Sequence, residues 1–146
     1  MKRILNITSL TGMLLLAFAV LFNSCKKDEE KITTINGTAF FPAGVSGDLS
    51  NAKVSIYTSL DNWNNNQPIK YVSAIGAGAS ITFSMEDVLP GNYYLDVWKD
   101  IDNDAYWSSG DFVGWYGSGG LGSPDLTEFQ ITDGQNLDFD VQMFIY

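Results

Sequence analysis

The sequence predicts an all-β domain over residues 32–146, an antiparallel β-sandwich of seven or eight short strands. Three observations predict it. Apolar and polar residues alternate with a period of two, the mark of a strand with one buried face. Clusters of Gly, Pro, Asn and Asp separate these alternating runs. From Ile32 onward no stretch carries a convincing helical period.

In chain order, Ile35, Gly37, Ala39 and Phe41 share one face of a first strand, and Val54 and Ile56 do so in a second. Ile81, Phe83 and Met85 alternate with Ser80, Thr82 and Ser84. Tyr93, Leu95 and Val97 alternate with Tyr94, Asp96 and Trp98. The last run sets Leu137, Phe139, Val141, Met143 and Ile145 against Asp138, Asp140 and Gln142. The expected turns are Pro42–Gly44, Asn62–Pro68, Gly76–Gly78, Leu89–Asn92, Gly117–Pro124 and Asp133–Gly134. The glycine-rich part, Gly117–Gly122, lacks the Lys-Ser/Thr ending of a phosphate loop and reads as a flexible surface turn. There is no internal repeat and no sign of a second domain.

Residues 1–24 read differently. Lys2 and Arg3 precede an apolar run densest from Met13 to Phe22. Its length falls within the ~7–15 residues of a signal-peptide core and short of the ~20 that span a bilayer. The run stops at Asn23-Ser24-Cys25. A small residue followed by cysteine there resembles the lipobox of bacterial lipoproteins, in the looser Ser-Cys form of Bacteroidetes-type bacteria. Where the usual lipobox has leucine, three residues before the cysteine, this chain has Phe22. The resemblance implies that residues 1–24 are cleaved and that Cys25 carries acyl chains that enter the membrane. A lone cysteine has no intrachain disulfide partner, and acylation accounts for its presence in an oxidising compartment. Each buried CH₂ of such an anchor contributes about 0.8 kcal/mol. Residues 25–31 form a charged tether. Within it, Lys26-Lys27-Asp28-Glu29-Glu30 resembles the surface-export signal of the same lipoproteins. The implied location is the outer membrane, displayed outward; a plain solvated tether would leave the domain on the periplasmic face.

Removing residues 1–24 leaves 122 residues with six basic and 17 acidic side chains, a formal charge of −11. That is one domain of ordinary size, large enough for a core without disulfides. Its charge repels phosphate backbones, which disfavours nucleic acid, and favours a cation. Histidine is absent, which removes the commonest general base and transition-metal ligand.

Asn36-Gly37-Thr38, Asn51-Ala52-Lys53-Val54 and Val88-Leu89-Pro90-Gly91-Asn92-Tyr93-Tyr94-Leu95-Asp96-Val97 follow one another in an order similar to that of transthyretin-like, or carboxypeptidase regulatory-like, β-sandwich domains. The last segment is the specific part. The resemblance implies a fold and a binding or scaffolding role more than a chemistry.

Asp100-Ile101-Asp102-Asn103-Asp104-Ala105-Tyr106-Trp107-Ser108-Ser109-Gly110-Asp111 has the spacing of a twelve-residue calcium loop. Calcium takes six to eight oxygens at about 2.3–2.6 Å, and alternating side chains of a short loop can converge to supply them. The expected ligands are Asp100, Asp102, Asp104, the Tyr106 carbonyl, Ser108 and Asp111. Ala105 stands where such loops place glycine, and Asp111 where they place glutamate. A solvated acidic hairpin loop is the competing reading. Bound calcium would be structural, ordering a connection from Asp100 to Pro124 that is long for a compact domain.

Trp107, Trp115 and Tyr116 are the candidate ligand contacts, because exposed aromatics beside a calcium site can stack on sugar rings; core packing is the alternative. Exposure of these three would support a glycan or protein ligand, and burial would count against it. No Gly-x-Ser-x-Gly elbow is present, and no free histidine or cysteine chemistry. A hydrolase would need two carboxylates facing each other across a deep cleft. The expectation is therefore a lipid-anchored cell-envelope domain with a binding or structural role, or a carbohydrate- or peptide-binding accessory of a surface uptake system, and not an enzyme.

Overall fold

A computed structural model describes residues 32–146. Cys25, the signal segment and the tether lie outside the described residues. The described residues form ten strands: β1 (Thr34–Phe40), β2 (Lys53–Tyr57), β3 (Lys70–Ser73), β4 (Ser80–Met85), β5 (Gly91–Lys99), β6 (Phe112–Trp115), β7 (Gly117–Gly120), β8 (Ser123–Leu126), β9 (Phe129–Ile131) and β10 (Asn136–Ile145). One short helix, α1 (Leu60–Asn64), joins β2 to β3.

The expected all-β class is what the structure shows. Seven strands follow one another in the order β3-β2-β5-β6-β10-β1-β4, and β9 pairs with the start of β5. The two ends of this path approach each other, and the Ile75–Thr82 bridge ties the segment after β3 to β4, so the sheet nearly closes into a barrel. The pairing is not all antiparallel as expected: β1 and β10 run parallel, Thr34 opposite Asn136 through Phe40 opposite Gln142. Parallel neighbours need a long connection between them, and here it is nearly the whole domain.

The alternating runs bury the faces expected of them except at the ends of β10, where Leu137 is half-buried and Ile145 is exposed. In β4, Ile81, Phe83 and Met85 face inward, and in β10 Phe139, Val141 and Met143 do so. With Ile35, Ala39, Val54, Leu95 and Val97 they fill the interior. Gly37 sits where β1, β4 and β10 meet; a Cβ there would strike the Phe139 carbonyl and come within 2.5 Å of Phe83 Cζ.

Three readings are corrected. Asn62–Pro68 is not a plain turn, because α1 begins just before it. Ser59 caps α1 by accepting from the Asn62 amide at 3.1 Å. Five residues are too few for a period to show. The Gly117–Gly122 run is not a flexible turn either. Gly117–Gly120 is strand β7, paired with β8, and a Cβ on Gly117 or Gly119 would strike a carbonyl across the pair. Finally, β5 is buried on both sides. Asp96 and Trp98, expected on the solvent side, are 2% and 5% exposed. A second apolar layer covers them, built on Trp98, Val113, Trp115 and Leu126, with Trp63 and Trp107 packed against it.

Candidate functional site

The pairing registers fix which end of the barrel each loop occupies. Thr34, at the start of β1, lies opposite Asn136, at the start of β10. The ten residues of β10, at about 3.3 Å each, carry the chain roughly 30 Å to Ile145. Ile145 pairs with Phe112, and Phe112 with Lys99, the residue before the acidic loop. The acidic loop therefore sits at the pole opposite the one where β1 begins.

Within the loop, Asp100, Asp102 and Asp104 come together, each offering a carboxylate oxygen within 4.8 Å of the others. Asp102 and Asp104 are exposed and Asp100 half-buried. The side chains also fold the backbone around themselves. Asp100 accepts from the amide of Ala105 at 2.9 Å, Asp104 from that of Tyr106 at 2.7 Å, and Asp102 from Ser108 Oγ at 3.3 Å. Ala105 has φ of +65°, the left-handed conformation that glycine adopts without strain. The departure noted in the sequence thus lies in the residue and not in the backbone shape.

Asp111 is placed differently from its expected partners. It is 1% exposed and stands outside the three-carboxylate group. Its Oδ2 accepts from Trp98 Nε1 and the Ser108 amide, both at 3.1 Å, and its Oδ1 from the Ile101 amide at 2.9 Å. It clamps the loop to the sheet. Tyr146 reinforces the clamp, its amide donating to the Asp111 carbonyl at 2.8 Å. The Tyr106 side chain is 76% exposed.

The expected patch of Trp107, Trp115 and Tyr116 does not form. Trp115 is 5% exposed, stacked on Phe144 at 5.2 Å, with its indole nitrogen donating to the Ser118 carbonyl. Tyr116 packs into the main core, 4.6 Å from the Phe139 ring. Trp107 lines a hollow. Its partner there is Trp63 of α1, edge-on at 5.5 Å. These two, with Tyr106 and the amides of Asn64 and Asn66, wall a cleft of about 240 Å³ over Trp98 and Ala105. A wider hollow of about 510 Å³ adjoins it, sharing Asn66, Trp98 and Ala105 and adding Asn51, Lys53, Lys99 and Asn103. Lys53 Nζ lies 5.1 Å from the Trp98 ring centre and 5.7 Å from that of Tyr71.

No family model, curated protein or solved structure matches this chain.

Beneath Trp63 lies a polar group that sequence reasoning missed. Asp96 Oδ2 accepts from Trp63 Nε1 at 3.0 Å and from Tyr57 Oη at 3.2 Å. Ser55 is its register partner across the β2–β5 pair. The buried Ser55 Oγ has no hydrogen-bond partner among the described residues. Burial pushes the Asp96 carboxyl up to about 7, against the pull of its Trp63 and Tyr57 hydrogen bonds. Burial, and then the neighbouring Asp96, drive the Tyr57 hydroxyl above its usual range. Strict alternation marked Asp96 as a solvent-side residue, and only the covering layer makes it otherwise.

At the same pole, Asp48 accepts from the Ser50 amide and hydroxyl and from the Gly78 amide, and pairs with Lys99 at 3.8 Å. These donors, Ser50 first, hold its carboxyl below the usual carboxylate range. The interaction braces the loop walls and leaves Lys99 tied down. Among the described residues no helix is long and apolar enough to cross a membrane.

Proposed function

We propose that this chain is a lipid-anchored cell-envelope domain that holds a glycan in the cleft between α1 and the acidic loop. Packing of Trp115 and Tyr116 counts against the patch first expected to hold it, and the observation that carries the reading is instead the make-up of that cleft, to which Trp107 alone of the three contributes. Trp63, Trp107 and Tyr106 offer aromatic surface, and Asn64 and Asn66 offer amides at its rim. Aromatic faces suit the apolar side of a sugar ring, and amides suit its hydroxyls. The acidic loop, one wall of the cleft, sits at the pole opposite the start of β1, the side that a domain tethered through Cys25 would turn outward. Supporting the transthyretin-like sandwich reading, the Val88–Asn92 turn feeds a central strand, β5.

A calcium ion fits the same reading. Asp100, Asp102 and Asp104 would hold it, and it would stiffen the segment from which Tyr106 and Trp107 project. Ser108 Oγ and the Tyr106 carbonyl are the neutral ligands to test beside them.

The deciding experiment is calorimetric titration of the processed chain with neutral and amino-sugar oligosaccharides, repeated with Trp107→Ala. Saturable binding lost in the variant supports the cleft; no binding across the panel removes the glycan reading. Calcium titration of the parent, Asp102→Ala and Asp104→Ala tests the metal. Saturation in the parent alone supports it, and none at millimolar calcium leaves a solvated acidic loop. Labelling with a palmitate analogue, abolished in Cys25→Ser, tests the anchor, and protease treatment of whole cells tests outward display.

A further inference from the structure

We propose that Asp96 is a proton-operated latch on the cleft: carrying its proton it keeps Trp63 and α1 down on the sheet, and once ionised it releases them. This regulates the site described above and rests on that reading only where a ligand is concerned.

The geometry supplies each part. Trp63 is shared, since its indole N–H donates to Asp96 while its ring forms a wall of the cleft. The groups facing Asp96 are neutral apart from Lys53, whose ammonium draws the carboxyl down less than the Trp63 and Tyr57 hydrogen bonds do and cannot offset its burial. From β2 come Ser55, the Tyr57 hydroxyl and, farther off, Lys53, whose ammonium lies against the Trp98 and Tyr71 rings. From α1 comes the Trp63 indole, and from β6 the register partner Trp115. Across Ser55, β3 contributes Tyr71.

A protonated Asp96 completes this network. Ser55 Oγ, buried, unpartnered among the described residues and on the register neighbour of Asp96, would be the acceptor for its O–H, while Trp63 and Tyr57 go on donating to the remaining lone pairs. An ionised Asp96 leaves Ser55 Oγ to reorient as a donor and buries a charge whose cationic neighbour, Lys53, lies against the Trp98 and Tyr71 rings, and that burial is costly. Water reaches that charge most easily by displacing α1. The helix has five residues, none of them buried, and Trp63 is its contact with the aromatic layer, so little else anchors it. Burial holds the Asp96 proton to about neutral pH, which places the switch there.

The chain is suited to the test because it contains no histidine, so no ordinary side chain titrates near pH 7. The experiment is NMR on the processed chain without ligand, from pH 5 to 9, following the Asp96 carboxyl carbon and the Trp63 indole N–H, with Asp96→Asn as control. The expected result is one near-neutral midpoint for both signals, with the indole shift absent from the variant. Above that midpoint the ratio of latched to released chain falls by up to about tenfold per pH unit, and sugar affinity follows once the released form predominates. A carboxyl midpoint below 5, a Trp63 signal constant across the range, or an indole shift that persists in Asp96→Asn would overturn the latch. If the variant fails to fold, the two signals of the unaltered chain decide. A coupled titration in a chain that binds no sugar of the calorimetric panel supports the latch and removes the ligand reading. Sugar affinity equal at pH 5.5 and 8.5 removes the latch and leaves that reading.

Discussion

The indole nitrogen of Trp98 donates to Asp111 Oδ2 at 3.1 Å, and this contact joins the end of the central strand to the far side of the acidic loop. The same carboxylate takes the amides of Ile101 and Ser108. Asp111 is thus the organising residue of the loop, and its role follows from burial and three donors.

Asp111→Ala leaves one buried donor, the Trp98 indole, and two part-buried amides without an acceptor. The expected loss is about 2–4 kcal/mol, read as a lower urea midpoint at unchanged slope, together with new proteolytic cleavage between residues 100 and 111. Asp111→Asn keeps one acceptor oxygen and should lose less. A loss under about 0.5 kcal/mol for the alanine variant would mean that the loop is organised by something else.

Ala105 pairs a Cβ with a left-handed backbone, φ +65°. Ala105→Gly relieves that strain, and the gain is partly offset by extra freedom in the unfolded chain. The net effect expected is a stabilisation of about 0.5–1 kcal/mol, a rise of a few degrees in Tm. If the acidic loop binds calcium, the same variant should bind it more tightly, since glycine is what such loops use there. A lower Tm would contradict the strain.

Asp96 gives the pH dependence a definite sign. Its folded value is about 7, against about 3.9 in an unfolded chain. Between these two the unfolded state has released a proton that the native state retains. Stability is therefore greatest toward the lower end of this window and falls as pH rises toward 7, by about 4 kcal/mol at most. The depressed Asp48 acts oppositely and only below about pH 4, where its protonation removes stability. Urea midpoints at pH 5 and pH 8 check the first effect. The pH 5 midpoint should be the higher, and Asp96→Asn should bring the two together.

Gly37→Ala forces a methyl group against the Phe139 carbonyl at the parallel β1–β10 pair. Backbone cannot yield there without separating the strands, so the expected cost is about 3 kcal/mol or more, seen as loss of soluble, cooperatively unfolding protein. Gly122→Ala, with open space around its Cβ position, is the matched control and should be nearly neutral.

The sequence by itself determined the all-β class and the inward face of most strands. A period of two survives any topology, because a strand with one wet face must alternate: Ile81, Phe83 and Met85 read the same in a sandwich or a near-closed barrel. It also determined that Asp100, Asp102 and Asp104 converge, since their spacing within five residues leaves them little choice. Tertiary structure alone decided the rest. The parallel β1–β10 pair joins segments about a hundred residues apart, which no local pattern records. Asp111 has the spacing of a ligand but became a buried clamp, because Trp98 and two amides reach it first. Asp96 and Trp98 alternate like surface residues, yet α1 and the aromatic layer roof them over. Trp115 and Tyr116 went into packing, and Trp63, from a helix too short to leave a period, became the cleft wall in their place. Alternation reports which side of a strand a residue occupies; whether that side meets water depends on what the remainder of the chain lays across it.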